Sequence, residues 1–216
     1  MADNETILKP GQYFTIARAH DAELTLHRSR FIASLRKASN REEADAALRS
    51  ITELYPKATH YCWAYRFDDN PPIEHASDAG EPSGTAGRPI LGALKKYSLG
   101  NIIAVVTRYY GGVKLGVKGL IAAYRDTTLL AIESAEIITA EPLFSLTFTC
   151  SYDLYNILLA KLERAGIDQQ KLDAQFAEHI SGETLIPQSL LALVQEQLET
   201  VASHSPQFRY EIKPPA

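Results

Sequence analysis

Two glycine-rich segments contain the residues best suited to bind an anion. They are residues 78–87 and residues 111–119, and each precedes a stretch with helical periodicity. Free backbone N–H groups at the start of a helix, beside glycines that let a ligand approach the backbone closely, form a common phosphate site. The sequence therefore predicts that phosphate groups of a ligand bind at these two segments.

The charge around these segments favours the same kind of ligand. Residues 82–125 contain seven Lys or Arg and no Asp or Glu. A local excess of cations attracts a polyanion, and a cation beside an aromatic ring suits a nucleotide, since the ring can stack on the base. Arg108 and Lys114 are the strongest candidates, and Tyr109 is a weaker one. The full set of candidate ligand-binding residues is Ser83, Gly84, Thr85, Gly87, Arg88, Arg108, Tyr109, Gly111, Gly112, Lys114 and Lys118.

Structural roles compete with ligand binding at several of these positions. Ser83 and Thr85, each taken singly, are better explained as caps of the following helix. The glycines of the second segment are equally well explained by a tight turn between a strand and a helix. Tyr109 also fits a packing role at the rim of a sheet.

Asp78 and Glu81 are the only acids of the first segment. Either could orient a metal ion or a hydroxyl group. Pairing with Arg88 or Arg108 is the favoured interpretation, because no second group of metal ligands is visible. No P-loop, dinucleotide fingerprint or nucleophile–base set is recognisable. We therefore predict no catalytic residue, no metal and no cofactor.

Composition limits the classes of protein that remain. The 216 residues have a net charge of −4, with +1 in residues 1–138 and −5 in residues 139–216, which excludes a globally basic nucleic-acid binder. Cys62 and Cys150 have no zinc or disulfide spacing. Because no signal pattern and no membrane-length apolar run is present, a soluble cytoplasmic protein is expected. The oligomeric state stays open.

Periodicity predicts the elements that position the two segments. Strands are expected at residues 13–18 and 22–26, which form a first pair, and at residues 29–35, 61–67 and 102–106, the last of them buried on both faces. A capping box at Ser39 and Glu42 predicts one helix, Pro89 suits the first turn of a second helix that runs to about Tyr97, and a third spans about residues 120–134. The alternating aromatic residues of 61–67 suggest that one set enters the core and the other forms a stacking surface. Residues 1–10 are expected to be loose and 68–72 to form a turn.

Beyond Pro142 the pattern changes. Strict alternation over residues 144–150 predicts a sheet with Ser145, Thr147 and Thr149 facing solvent. A helix capped by Ser151, two strands, a helix opened by Pro187 and a last strand follow. This β-α-β-β-α-β order is the ferredoxin-like arrangement, and Pro214 and Pro215 end it. We predict an α+β protein with two domains, residues 1–138 and 139–216.

Four strings resemble the IMPACT family, and most closely its bacterial YigZ-like branch. They are SRFIA, THYCWAYR, SDAGEPSGTAGRPIL and VTRYYGGVKLGVKGL. The resemblance implies an N-terminal domain similar to the second domain of ribosomal protein S5, and a ferredoxin-like domain similar to a terminal domain of a ribosomal translocase. The chain departs from the family pattern at three positions: Ala79 replaces an acid, Lys118 replaces a glycine, and Ala122 replaces a frequent basic residue.

The resemblance implies a role in translation or its regulation. We expect a non-enzymatic protein that binds structured RNA or a ribosomal surface through the basic glycine-rich face of residues 77–125. One alternative is an enzyme acting on a phosphorylated or nucleotide substrate at the glycine segments. Another is a protein-interaction module whose acidic C-terminal domain contacts a protein partner. No membrane partner is expected.

Overall fold

The computed structural model describes residues 8, 11–68 and 71–214. Most of the expected loose N-terminal segment, the middle of the turn expected at 68–72, and Pro215 lie outside the described residues. Contacts between residues divide the chain into two compact units. The first unit is Tyr13–Ala140, and the second consists of the described residues of 141–216 and 1–12.

A five-stranded antiparallel sheet is the centre of the first unit. Its strand order is β2-β3-β6-β4-β5. The strands of this unit are β1 Tyr13–Ile16, β2 His20–Leu26, β3 Ser29–Lys37, β4 His60–Phe67, β5 Ile73–Ser77, β6 Ile102–Tyr109 and β7 Ile137–Ala140. Its helices are α1 Arg41–Leu54, α2 Gly87–Lys96 and α3 Gly116–Ser134. The predicted buried strand is confirmed, since every residue of β6 except Tyr109 is buried.

Helices cover both faces of this sheet. Alternate residues of β6, Ala104 and Val106, share one core cluster with residues of α2 and α3. The intervening residues Ile103 and Val105 share another cluster with residues of α1. Because side chains alternate across a strand, the apolar residues 102–106 of β6 support both clusters. On the α1 face of the sheet, Trp63, Tyr65 and Phe67 of β4 form a row of stacked rings. Both alternating sets of β4 side chains therefore pack in a core cluster, one set on each face of the sheet.

Three local expectations for this unit are wrong. β1 pairs with β7 in a separate two-stranded sheet rather than with β2. The capping box lies one residue later than expected, because Asn40 accepts the N–H of Glu43 and the Glu43 carboxylate accepts the N–H of Ser39. Finally, α3 begins at Gly116, a full turn before residue 120.

The second unit contains a four-stranded antiparallel sheet with the order β11-β8-β10-β9. Its elements are β8 Leu143–Cys150, α4 Tyr152–Arg164, β9 Asp173–Phe176, β10 Ile180–Pro187, α5 Leu191–His204 and β11 Arg209–Lys213. Residues of α4 and α5 pack with Leu146, Phe148 and Cys150 in one cluster, so both helices lie on the same face of the sheet. The opposite face carries Thr147 and Thr149, as the alternation predicted.

Pro187 does not open α5. It ends β10, where it is paired with Leu143, and a short 3-10 turn precedes the helix. Ser151 occupies the expected N-cap position of α4, but its side chain makes no capping hydrogen bond. In the part of the chain that the structure describes, no helix is both long and apolar enough to cross a membrane.

Substitutions at two glycines should change stability in opposite directions. A Cβ on Gly92, an exposed helical position, meets no atom within 4 Å, so Gly92→Ala should raise the free energy of unfolding by about 0.5–1 kcal/mol. A Cβ on Gly111 would overlap the backbone carbonyl group of Arg28, so Gly111→Ala should lower it by about 3 kcal/mol or more. Urea unfolding of the two variants measures both effects. Equal changes in the free energy of unfolding at the two positions would contradict this packing.

Candidate functional site

The two glycine-rich segments leave the sheet at the same end. β4 lies between β5 and β6 and is antiparallel to both, so β5 and β6 run in the same direction and end toward the same edge of the sheet. Ser77 at the end of β5 and Val105 of β6 are both opposite Trp63, so β6 continues to Tyr109 beyond the end of β5. The loop of residues 78–86 leads from β5 into α2, and the loop of residues 110–115 leads from β6 into α3.

The first loop is closed around the carboxylate of Asp78. One carboxylate oxygen accepts the N–H groups of Ala86 at 2.9 Å and Gly87 at 2.8 Å, and the other accepts the N–H of Gly84 at 2.7 Å. Burial by itself would raise the pKa of Asp78, but these three donors, with a contribution from the positive charge of Arg88, hold the pKa below its ordinary value. The carboxylate is therefore charged at neutral pH and caps α2.

The Asp78 carboxylate already accepts the backbone N–H groups that would otherwise bind a phosphate group at this loop. Neither Ser83 nor Thr85 caps the helix, because the N-cap residue is Ala86 and the Asp78 carboxylate accepts the N–H groups of Ala86 and Gly87. The Thr85 hydroxyl instead donates to the carbonyl of Pro82 at 2.6 Å, and Ser83 is exposed. A Cβ on Gly87 would lie 2.8 Å from the backbone nitrogen of Ser77, so this glycine is required by the neighbouring strand.

Arg108 is not an exposed cation. Its side chain is 7% exposed, and its Nη1 donates to the carboxylate of Glu81 at 2.5 Å. Tyr124 of α3 donates to the same carboxylate oxygen at 2.8 Å. The pairing of Glu81 with Arg108, which competed with a ligand role in the sequence, is present. The three side chains therefore join the first loop to β6 and α3.

Two further side chains next to this cluster were not predicted to belong to it. The imidazole Nε2 of His60 lies 3.9 Å from the Glu81 carboxylate, and its Nδ1 lies 2.9 Å from the carbonyl of Ala79. The Cys62 thiol donates to the carbonyl of Asp78 at 2.9 Å. Burial raises the pKa of Cys62 to about 12, so at neutral pH the thiol is uncharged and serves as a hydrogen-bond donor rather than a nucleophile.

Tyr124 was missed by the sequence analysis. Its pKa is raised by burial and by the neighbouring Cys62 and Glu81, so the hydroxyl stays protonated and can donate. Tyr124 is buried together with Leu120, Ala123 and Thr127. That spacing of three, four and seven residues marks the buried face of a helix, which could have predicted its burial but not its partner.

The second loop has no internal anion. The first turn of α3 contains no acid, and its N-cap residue Leu115 makes no side-chain hydrogen bond. Lys114 and Lys118 are exposed and form no ion pair with the described residues. Gly112 and Gly116 have φ angles of +83° and +69°, a conformation that glycine adopts without strain. A 19-residue helix therefore begins here with no described side chain capping its first N–H groups, and with two lysines beside it.

The exposed aromatic residue of this loop is Tyr110 rather than Tyr109. The Tyr109 hydroxyl donates to the carbonyl of Pro56 at 3.2 Å, and its ring packs under the guanidinium of Arg30. Tyr110 is 45% exposed. The apolar residues Val113 and Val117 are exposed as well. We call residues 110–118 the basic loop, although it also carries these exposed apolar side chains.

The remaining candidates have assigned positions. The N–H of Gly111 donates to the hydroxyl of Ser29 at 3.1 Å, which fixes the start of the basic loop. Arg88 is exposed in the first turn of α2. Asp78 and Glu81 both use their carboxylates in contacts within the protein. In the described ranges, no group of three or more His, Cys, Asp or Glu side chains could hold a metal ion.

The contacts of Asp78 predict a specific loss of stability. Asp78→Ala removes a helix cap and three charge-assisted hydrogen bonds, so the free energy of unfolding should fall by about 2–4 kcal/mol at pH 7. Because the folded pKa of Asp78 lies below the unfolded one, this stabilisation is present above about pH 4 and is lost as the pH falls further. Urea unfolding between pH 7 and pH 3 measures it. Ser83→Ala, a control in the same loop, should change the free energy of unfolding little. Equal losses of stability in the two variants would contradict the capping role of Asp78.

Comparison with known proteins agrees with the motifs in the sequence. The Impact N-terminal domain matches residues 27–132. IMPACT family member YvyE of Bacillus subtilis is 36% identical over 176 residues, which cover 81% of this chain and 79% of that protein. IMPACT family member YigZ of Escherichia coli is 38% identical over 129 residues, 59% of this chain and 63% of that protein.

A solved structure has a similar fold over most of the chain. The crystal structure of a hypothetical protein superposes with a TM-score of 0.66 at 28% sequence identity, and covers 94% of this chain and 97% of that one. The region that matches the Impact N-terminal domain, residues 27–132, includes both glycine-rich loops. The chain belongs to the IMPACT family.

Proposed function

We propose that the protein acts in translation or its regulation by binding structured RNA or a ribosomal surface through the basic loop. One observation carries the proposal: α3 begins without a capping side chain and without an acid in its first turn, beside the exposed Lys114 and Lys118, which form no ion pair with the described residues. The role implied by the IMPACT family supports the setting in translation. No enzymatic step is required.

The expected binding energy is mainly electrostatic. Phosphates of an RNA backbone release counterions when they are neutralised by lysines, so affinity falls as salt rises. Free N–H groups at the start of α3 can donate to the same phosphate oxygens. Tyr110 adds an exposed ring on which an unpaired base could stack. Arg88, Lys114 and Lys118 are therefore the proposed cations, and Arg108 is assigned to the folded structure.

The finer assignments of fold and location are also proposals. We assign the first unit to the type of the second domain of ribosomal protein S5, and the second unit to the ferredoxin-like type. The observed β-α-β-β-α-β order and the fully antiparallel order β11-β8-β10-β9 support the second assignment. Residues 1–138 and 139–216 are the proposed domains, and the cytoplasm is the proposed location.

Removal of the two lysines should weaken RNA binding and reduce its salt dependence. Each lost phosphate contact lowers the slope of log affinity against log salt by about 0.7–0.9. Lys114→Ala/Lys118→Ala should therefore lower the slope by about 1.5, measured by co-sedimentation with ribosomes across a salt series. Lys95→Ala/Lys96→Ala is the matched control, because these two cations lie in the last turn of α2. An identical decrease of this slope in both double variants would mean that only the net charge matters, and it would contradict a local binding site.

A second candidate function is an enzyme acting on a phosphorylated or nucleotide substrate. The observation that favours it is the His60 imidazole 3.9 Å from the Glu81 carboxylate, since an oriented imidazole is a common proton-transfer group. A thermal-shift series with nucleotides, with and without Mg²⁺, separates the two functions. If the protein binds RNA but no nucleotide, its melting temperature should stay the same with each nucleotide tested. A Mg²⁺-dependent rise with one nucleotide, abolished by His60→Ala, would favour the enzyme.

A further inference from the structure

Tyr110 presents an exposed aromatic ring that rests on buried side chains. The residue is 45% exposed, and the guanidinium carbon of Arg108 lies over its ring, 5.4 Å from the centroid. The same carbon lies 5.4 Å from the centroid of the Phe31 ring. Phe31 is fully buried and packs edge-to-face against the ring of Tyr124. The Tyr110 ring is therefore supported from the core on the side of Arg108, and its exposure falls on the rest of the ring.

The support beneath the ring is fixed. Nη1 of Arg108 donates to the buried Glu81 carboxylate, while its Nε is buried and has no hydrogen-bond partner among the described residues. The guanidinium is therefore held by the carboxylate and by cation–π contacts with the two rings. The backbone N–H of Tyr110 also donates to the Thr59 hydroxyl at 3.0 Å. Both the backbone and the ring of Tyr110 are thus in place before any ligand arrives, which lowers the entropy that binding costs.

The rest of the basic loop combines apolar and cationic side chains. Val113 and Val117 are 40% and 59% exposed, and Lys114 and Lys118 are exposed as well. A double helix presents its sugar-phosphate backbone and keeps the faces of its bases stacked on one another, so it offers phosphates to the lysines but no base face to the ring. An unpaired strand offers both. The composition of the loop therefore matches an unpaired strand better than a duplex.

We propose that the basic loop binds an unpaired segment of RNA, such as a hairpin loop, a bulge or an end, and that one base stacks on the exposed side of the Tyr110 ring. Lys114 and Lys118 contact phosphates of the same strand. Arg108 is a positioning residue, because it holds the ring and does not contact the RNA. The inference rests on the proposed function and names the class of RNA that its site accepts.

The flat, fixed ring favours a nucleobase over other anionic partners. A nucleobase supplies a flat face for stacking, which an acidic peptide backbone or a lipid chain lacks. Since every base has such a face, binding should depend little on base sequence.

The test compares three fluorescein-labelled RNAs on the full-length protein. The first is an unstructured strand of about twelve nucleotides, the second is the same strand paired with its complement, and the third has the same phosphates but abasic sugars throughout. Fluorescence anisotropy at about 50 mM salt should show that the unpaired strand binds about tenfold more tightly than either of the others. The duplex carries the higher charge density, so charge alone predicts the opposite order for strand and duplex.

Removal of the ring should affect the unpaired strand alone. Tyr110→Ala should weaken its binding about tenfold and leave the duplex and the abasic strand within about twofold. Because no phosphate contact is lost, the slope of log affinity against log salt should stay the same. Tyr110→Phe keeps the ring and should bind the strand as the unchanged protein does.

The matched control removes an exposed tyrosine from the second unit. Tyr152 of α4 is 52% exposed, and Tyr152→Ala should leave the affinity for the strand within about twofold. Unfolding curves verify that each variant is folded, and the comparison of the three RNAs on the unchanged protein does not depend on any variant.

Several outcomes would overturn the inference. Equal affinity for the strand, the duplex and the abasic strand is one, and an equal loss in Tyr110→Ala and Tyr152→Ala is another. Polyglutamate that competes as effectively as the strand at equal charge would show that charge suffices. Binding to phosphatidylglycerol vesicles that Tyr110→Ala abolishes, without binding of the strand, would assign the ring to a membrane surface instead.

The same titrations separate this inference from the proposed function. If strand and duplex bind equally and Lys114→Ala/Lys118→Ala still lowers the salt slope, the basic loop remains supported and only the role of Tyr110 is overturned. If none of the three RNAs binds and ribosomes do not co-sediment with the protein, the proposed function is overturned and this inference with it.

Discussion

The buried ion pair of Glu81 and Arg108 determines much of the arrangement of the first unit. Both side chains are less than a tenth exposed, and a charge in such a place is tolerated only when its partner is present. The pair connects the first loop to the end of β6, and the Tyr124 hydroxyl extends the connection to α3. A displacement of the first loop would leave the guanidinium without a counter-charge, so the loop and the strand end are held together.

The two glycine-rich loops differ because of one carboxylate. Both follow a strand, both precede a helix and both contain glycines at positive φ. Asp78 accepts the free N–H groups at the start of α2, so the first loop is stabilised by an anion of the protein itself. The first turn of α3 has no acid, so its positive end remains available. The same local motif therefore gives a closed structural turn in one place and an open, basic one in the other.

The sequence predicted the elements of the fold better than the roles of the site residues. Periodicity and apolar runs identified β6 and the alternation of β8, because the pattern of apolar and polar residues along a strand reflects whether one or both of its faces are buried. Arg108 was expected either to bind a ligand or to pair with Asp78 or Glu81, and the sequence could not decide between these roles because Glu81 is 27 positions away and Tyr124 is 43 positions from Glu81. A sequence shows that a cation is present, but not whether a carboxylate neutralises it. The pairing of β1 with β7 was missed for the same reason, since it joins residues more than a hundred positions apart.

The distribution of charge between the units has a further physical consequence. At physiological ionic strength, electrostatic interactions between exposed groups are screened over about 8 Å, so the acids of the second unit cannot cancel the positive potential at the basic loop unless they lie within that range. The net charge of −4 still opposes unspecific accumulation on RNA at longer range, where only the total charge acts. In the proposed function, a chain of this composition is retained on a polyanion only when the lysines reach the phosphates directly. The proposed selectivity for a structured surface then depends on the geometry that the Glu81–Arg108 pair and the Asp78 cap maintain, more than on the number of basic residues.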